Sequence, residues 1–143
     1  MDCLLREVEA AGKLLRENNI PLGSIYIDGG TPTTLNEQQL EALLTAVDTH
    51  FDRSVCREYT VEAGRPETIT EGKLRIMASH KVSRISINPQ TMNDRTLQAI
   101  GRFHTAADIA SSFELSRQED FDCIIMDLIA ALPGEGVEDF ART

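Results

Sequence analysis

Apolar residues recur along this chain at two spacings, and each change of spacing marks the border of an element. Leu4, Leu5, Val8, Ala11 and Leu15 keep a helical spacing with charges between them, which predicts a helix from Asp2 to about Glu17. Asp2 is expected to cap it, and Asn18, Asn19 and Pro21 to end it. "SIYID" then reads as a short strand. Asn36 with Gln39 forms a capping-box pattern ahead of a second helix that buries Leu40, Leu43, Leu44, Val47 and Phe51. "REYTVEA" is a second strand, with Tyr59 and Val61 on one face. Thr68 and Glu71 make another capping box, opening a helix through Leu74 and Met77 to about Ser79. "VSRISIN" is a third strand, alternating Val82, Arg84 and Ser86 against Ser83, Ile85 and Ile87. A short helix carries Leu97 and Ile100, and Thr105 with Asp108 caps one bearing Ile109 and Phe113. "FDCIIMDLIAALPG" is nearly continuous in apolar residues, as expected of a parallel strand covered on both faces. A further helix begins near Glu135.

Strand alternating with helix predicts right-handed crossovers and a parallel sheet, so the expected class is α/β. In such folds ligands bind at the carboxyl ends of the strands, where loops and helix N-termini converge on one rim. Here the strand ends read Asp28-Gly29-Gly30, Glu62, Asn88 to Gln90, and Asp127, each directly after aliphatic residues. Four polar ends on one predicted rim point to a ligand site. Other readings stand beside this one. Gly29-Gly30 also suits a strand-to-helix turn that needs positive φ, and Glu62 also suits a solvated strand end screened by Arg65. Asp127 lies within "IIMDLIAAL", where burial of an unpaired carboxylate is costly, so a donor is expected from a ligand or from Arg84 or Arg102. His104 is expected to be structural. Ser24, Thr31 and Ser86 have no neighbouring His–acid pair in sequence, and the glycines match neither a dinucleotide fingerprint nor a P-loop.

Composition narrows the choice of partner. Hydrophobic residues make up 41% and charged residues 26% of 143, enough for a real core, while 5% aromatic and no Trp make that core aliphatic. The net charge of -9 and a pI near 4.7 argue against a nucleic-acid surface or an anionic membrane as partner. Cys3, Cys56 and Cys123 lie far apart without CxxC or HxxxH spacing, so no disulfide framework or zinc site is legible, and Cys123 is expected in the core. The acidic start lacks the pattern of a signal peptide, and no apolar run approaches the ~20 residues of a membrane span, so a cytoplasmic setting is expected.

"GGTPTTL", "YTVEAGRPETIT", "RISINPQTMNDRTLQAIGRFHT" and "MDLIAALPGE" together resemble the radical S-adenosylmethionine enzymes. The branch they resemble is the oxygen-independent coproporphyrinogen III oxidase, or coproporphyrinogen dehydrogenase, with "EAGRP" and "NPQTMND" most like its Firmicutes-type group. The resemblance runs from about Ile25 to Phe140. It implies a partial (β/α) barrel of about four parallel strands with helices outside, S-adenosylmethionine as cofactor and a porphyrinogen as substrate. It also implies residue roles. Gly29, Gly30 and Thr31 match the segment that binds the methionyl amino group, and Glu62 matches a cofactor-contacting glutamate. Gln90, Arg102 and Asp127 match positions that contact a second S-adenosylmethionine. The implied reaction is oxidative decarboxylation of two propionates of coproporphyrinogen III to vinyl groups, in heme synthesis. A non-catalytic module that binds S-adenosylmethionine or heme is the alternative.

Two departures qualify the resemblance. Asp28 replaces the first of the three glycines usual in the family, either strengthening a cation site or crowding it. The CxxxCxxC motif that holds a [4Fe–4S] cluster in the family is absent, since Cys3 stands alone. The resemblance therefore implies that residues 1–143 are a part of the core domain truncated at both ends and inactive alone. Open sheet edges are expected to favour self-association.

Overall fold

Caps written in the sequence decide where most of the helices start. A computed structural model describes the whole chain, Met1–Thr143. Ahead of α2 (Glu37–His50), the Asn36 side chain accepts from the Gln39 N–H at 2.9 Å, and the Gln39 side chain accepts from the Asn36 N–H at 3.1 Å. Thr105 and Asp108 make the same reciprocal pair before α5 (Ala106–Ser116). Two expected caps differ. α3 (Glu71–Ser79) starts behind Thr70, whose hydroxyl accepts from the Lys73 N–H. Thr68 is not its cap: Pro66 opens a turn of 3-10 helix, Pro66–Thr68, and the Thr68 hydroxyl donates to the Arg65 carbonyl at 2.7 Å. α1 (Asp2–Glu17) has Met1 at its cap position, so Asp2 sits within the first turn, where a negative charge favours the helix dipole.

The strands β1 (Ser24–Ile27), β2 (Glu58–Glu62), β3 (Arg84–Gln90) and β4 (Cys123–Leu128) form one parallel sheet in the order β1-β2-β3-β4. Two shorter helices, α4 (Asp94–Ala99) and α6 (Val137–Arg142), follow β3 and β4. The α/β class and the parallel sheet read from the sequence are present. Leu40, Leu44 and Val47 of α2 and Leu74 and Met77 of α3 pack on Tyr59, Val61, Ile85 and Ile87 of the strands and on Ala63 just after β2. Each large aliphatic side chain so buried contributes about 1.5–3 kcal/mol.

β4 departs from its expected environment. Cys123, Asp127 and Leu128 are exposed and Ile124 to Met126 half-buried, so the strand is not covered on both faces and Cys123 is not a core residue. The sheet ends at β4, and only the face carrying Ile124 packs against the core. At the other side of the fold α1 lies on α2. A Cβ on Gly12 would collide with the carbonyl of His50, and Arg16 Nη1 donates to that carbonyl at 2.5 Å, satisfying the C-terminus of α2. The link to β1 is pinned where the Leu22 N–H meets the Asp52 carbonyl at 2.9 Å. No helix is long and apolar enough to cross a membrane.

Candidate functional site

Period-two alternation places polar side chains on the face of the sheet opposite the core. β1 contributes Tyr26, β2 Glu58, Thr60 and Glu62, β3 Arg84, Ser86 and Asn88, and β4 Asp127. They form two tiers. At the lower tier Arg84 Nη1 pairs with Glu58 Oε2 at 2.9 Å, and the Thr60 hydroxyl donates to Glu58 Oε1 at 3.2 Å. The upper tier lies at the strands' carboxyl ends. There Asn88 Nδ2 donates to Glu62 Oε1, and the Ser86 hydroxyl reaches both Asn88 Oδ1 at 3.1 Å and Asp127 Oδ2 at 3.4 Å. One hydroxyl proton serves one acceptor at a time, so the shorter contact to Asn88 leaves Asp127 only weakly held.

Asp28 closes this tier. Its carboxylate accepts from the Gly29 N–H and bonds to Glu62. That bond to Asp28 raises the Glu62 carboxyl above the ordinary glutamate range, with burial and the charges of Asp28 and Asp127 adding to the effect. The same bond, with the Gly29 N–H, holds Asp28 below the ordinary range. Of the two carboxyls, Glu62 is therefore the one that takes up a proton more readily, and Asp28 the one that gives it up. Tyr26 lies on the same face near these carboxyls, its phenol raised by burial and then by Glu62, Asp28 and Asp127.

The glycine segment follows directly. Gly29 and Gly30 have φ of +99° and +87°, left-handed values that disfavour any side chain, and the space beside their α-carbons is open. Asp28 leaves the space beside Gly30 open, its carboxylate folding back onto the Gly29 N–H and Glu62. Thr31 leads into the 3-10 turn Pro32–Thr34. A hollow of about 530 Å³ extends behind the segment, lined by Tyr26, Ile27, Leu35 and Leu43 among others.

The structure thus gathers Glu62 and Asp127 around Asn88 and Ser86 and sets Gly29, Gly30 and Thr31 after Asp28 at the same end of the sheet. Arg102 comes close by another route, its Nη1 donating to the Gly64 carbonyl at 3.3 Å. A Cβ on Gly64 would stand 3.2 Å from Glu62 Oε1 and 3.4 Å from Asn88 Nδ2, so this backbone is packed against the network. Gln90 stands apart from these contacts. A register shift after Ile87 sets it opposite Leu128 with φ of +69°, and its side chain makes no hydrogen bond within the chain. Asp127 is exposed, so solvent removes the burial cost that predicted a dedicated donor. Neither Arg84 nor Arg102 pairs with it. His104 is buried on Glu67, as a structural residue. The strand-end reading includes Asn88 but not Ser86, Tyr26 or Gly64, although polar residues at alternate strand positions are a legible sign of Ser86 and Tyr26.

A profile of the Radical SAM superfamily matches residues 4–143. The chain belongs to the radical SAM superfamily. Its relatives include the oxygen-independent coproporphyrinogen-III oxidase-like protein HemZ of Bacillus subtilis, 44% identical over 96% of this chain and 28% of that protein. The heme chaperone HemW of Lactococcus lactis is 44% identical over 82% of this chain and 31% of that protein. Coproporphyrinogen III oxidase (HemN) from Escherichia coli, a radical SAM enzyme of solved structure, superposes with a TM-score of 0.86 at 25% identity, over 99% of this chain and 32% of that one. The radical SAM chain described here is HemN-like, and it spans about a third of the length of these relatives. The superfamily works with S-adenosylmethionine and a [4Fe–4S] cluster.

The residues of this chain fit the first of these and not the second. S-adenosylmethionine carries an ammonium, a sulfonium and a carboxylate. The anionic Asp28 beside a bare, left-handed glycine segment suits the cations, and the forked Arg102 suits the carboxylate. For the cluster, no three His, Cys, Asp or Glu side chains converge as metal ligands. Cys3 lies on α1, Cys56 precedes β2 and Cys123 opens β4.

Proposed function

We propose that residues 1–143 form the S-adenosylmethionine-binding part of a HemN-like radical SAM core domain, whose parent reaction is the oxidative decarboxylation of coproporphyrinogen III. The carboxyl network Asp28–Glu62–Asn88–Ser86–Asp127 on the open face of the sheet carries this reading. Gly29, Gly30 and Thr31 bring backbone close to the methionyl ammonium, and Asp28 with Glu62 supplies the negative charge that holds it. Arg102, Gln90 and Asp127 hold a second part of the ligand, Arg102 by its fork and the other two by hydrogen bonds. In such a protein bound S-adenosylmethionine supplies a radical when a cluster reduces it. The residues present here bind and orient it, and alone they catalyse nothing.

Titration calorimetry of the chain with S-adenosylmethionine tests the proposal. Saturable binding in the micromolar range without added iron supports it, and no heat of binding overturns it. Anaerobic reconstitution with iron and sulfide is expected to give no stoichiometric cluster absorption band. The kinship to HemW at 44% identity favours a second reading, a non-catalytic module that carries heme or a porphyrin. Heme titration followed by absorbance distinguishes the two: saturation at one heme per chain supports the carrier.

A further inference from the structure

The segment that presents Arg102 is fixed at both ends. α4 stops in a Schellman turn, with the Gly101 N–H on the Gln98 carbonyl at 3.1 Å and the Arg102 N–H on the Leu97 carbonyl at 2.9 Å, Gly101 taking φ of +75°. Three residues later the reciprocal cap at Thr105 opens α5. Between these anchors the side chains diverge. Arg102 reaches the Gly64 carbonyl, Phe103 is 90% exposed, and the His104 ring turns inward until it is fully buried. His104 Nδ1 meets Glu67 Oε2 at 3.0 Å, and its Nε2 is buried without a partner.

A buried imidazole is a costly way to fill that space, since an unpaired ring nitrogen is unfavourable and leucine would pack without it. What the ring adds is the bond to Glu67. That bond ties the turn carrying Arg102 to the Pro66–Thr68 turn, three residues beyond Gly64. We propose that His104 is a positioning residue: by tethering its turn to Glu67 it holds the Arg102 guanidinium on the Gly64 carbonyl. The inference rests on the reading of Arg102 as a cofactor contact.

The test uses the whole chain and S-adenosylmethionine titrations, with thermal melts confirming that each variant is folded. H104L fills the space without the bond, and H104N keeps an amide N–H near the place of Nδ1. H104L and E67A are expected to weaken binding about tenfold, the effect of one lost hydrogen bond, and H104N to restore most of it. R102A weakens binding on its own, and adding H104L to it brings no further loss, because the histidine acts through the arginine. Unchanged affinity in H104L, or a loss that adds in full to that of R102A, overturns the proposal. If the parent chain binds no S-adenosylmethionine, the functional reading falls and the tether is still measured. Hydrogen exchange at Arg102 Nε–H, followed by NMR, is then expected to be slower in the parent than in H104L, and equal rates overturn the tether itself.

Discussion

The two faces of the sheet come from the same four strands and differ in almost everything else. On the covered face Tyr59, Val61, Ala63, Ile85 and Ile87 meet α2 and α3. On the open face Tyr26, Glu62, Ser86, Asn88 and Asp127 meet one another. The first three strands alternate apolar and polar residues, so neither face can be altered by a register slip without ruining both. The difference separates two properties of the molecule. Stability resides in the covered face, and the ligand recognition proposed above in the open one.

Substitutions can break that separation or sharpen it. Ile85→Ala is expected to cost about 2–5 kcal/mol in urea denaturation, because it leaves a cavity between the sheet and its helices. Glu62→Gln is expected to change stability by less than about 1 kcal/mol, since Asn88 retains an acceptor. Equal destabilisation by the two would end the comparison. The next effect is on binding. Glu62→Gln removes the charge facing the ligand cation and is expected to weaken S-adenosylmethionine binding about tenfold or more by calorimetry.

A smaller effect is a proton released on binding. Glu62 holds its proton above the ordinary glutamate range, and a bound cation favours the carboxylate, so affinity rises with pH through the raised Glu62 value. Titrations in buffers of different ionisation enthalpy read that proton, and Asp28→Gly is expected to reduce it. The smallest effect belongs to the covered side. His80, at the end of α3, is bonded to Asp48 at 2.6 Å and Glu41 at 3.0 Å of α2, while Arg53 also pairs with Asp48. Burial pushes the imidazole down, but these two carboxylates outweigh it and hold His80 above its ordinary value. A raised histidine adds stability that is complete below the unfolded value of about 6.5 and is lost as pH climbs through the folded one. Denaturation curves are therefore expected to fall with pH in the parent and to flatten in His80→Gln, with ligand affinity unaffected.

The covered face was legible because burial writes itself as spacing. Leu40, Leu44, Val47, Leu74 and Met77 follow helical repeats, and all of them lie in the core. The rim was legible at Asp28, Glu62 and Asp127, where an acid follows aliphatic residues at a strand end. What the pattern missed depended on neighbours distant in sequence. Asp127 looked buried because "IIMDLIAAL" is apolar, yet β4 lies at the sheet edge, and a strand's position in a sheet leaves no mark on its own residues. Gly64 gave no sign of its contact with Arg102, 38 residues away. Thr68 lost its capping role to Pro66, which bends the preceding turn into a 3-10 helix. Gln90 moved off the expected alternation because β3 takes up an irregularity after Ile87.

The glycine in α1 has a reach beyond its own helix. With Gly12 seated under the His50 carbonyl, sliding α1 by one residue would bring Ala11 or Lys13 to a place with no room for a side chain. The helix is therefore keyed on its neighbour like a shaft in a slot. Only the short link Asn18–Gly23 separates it from β1, the strand that delivers Asp28 to the rim. A methyl group added at Gly12 would push α1 off the C-terminal end of α2, and that short link is expected to pass the shift on to β1 and to the rim of the proposed site.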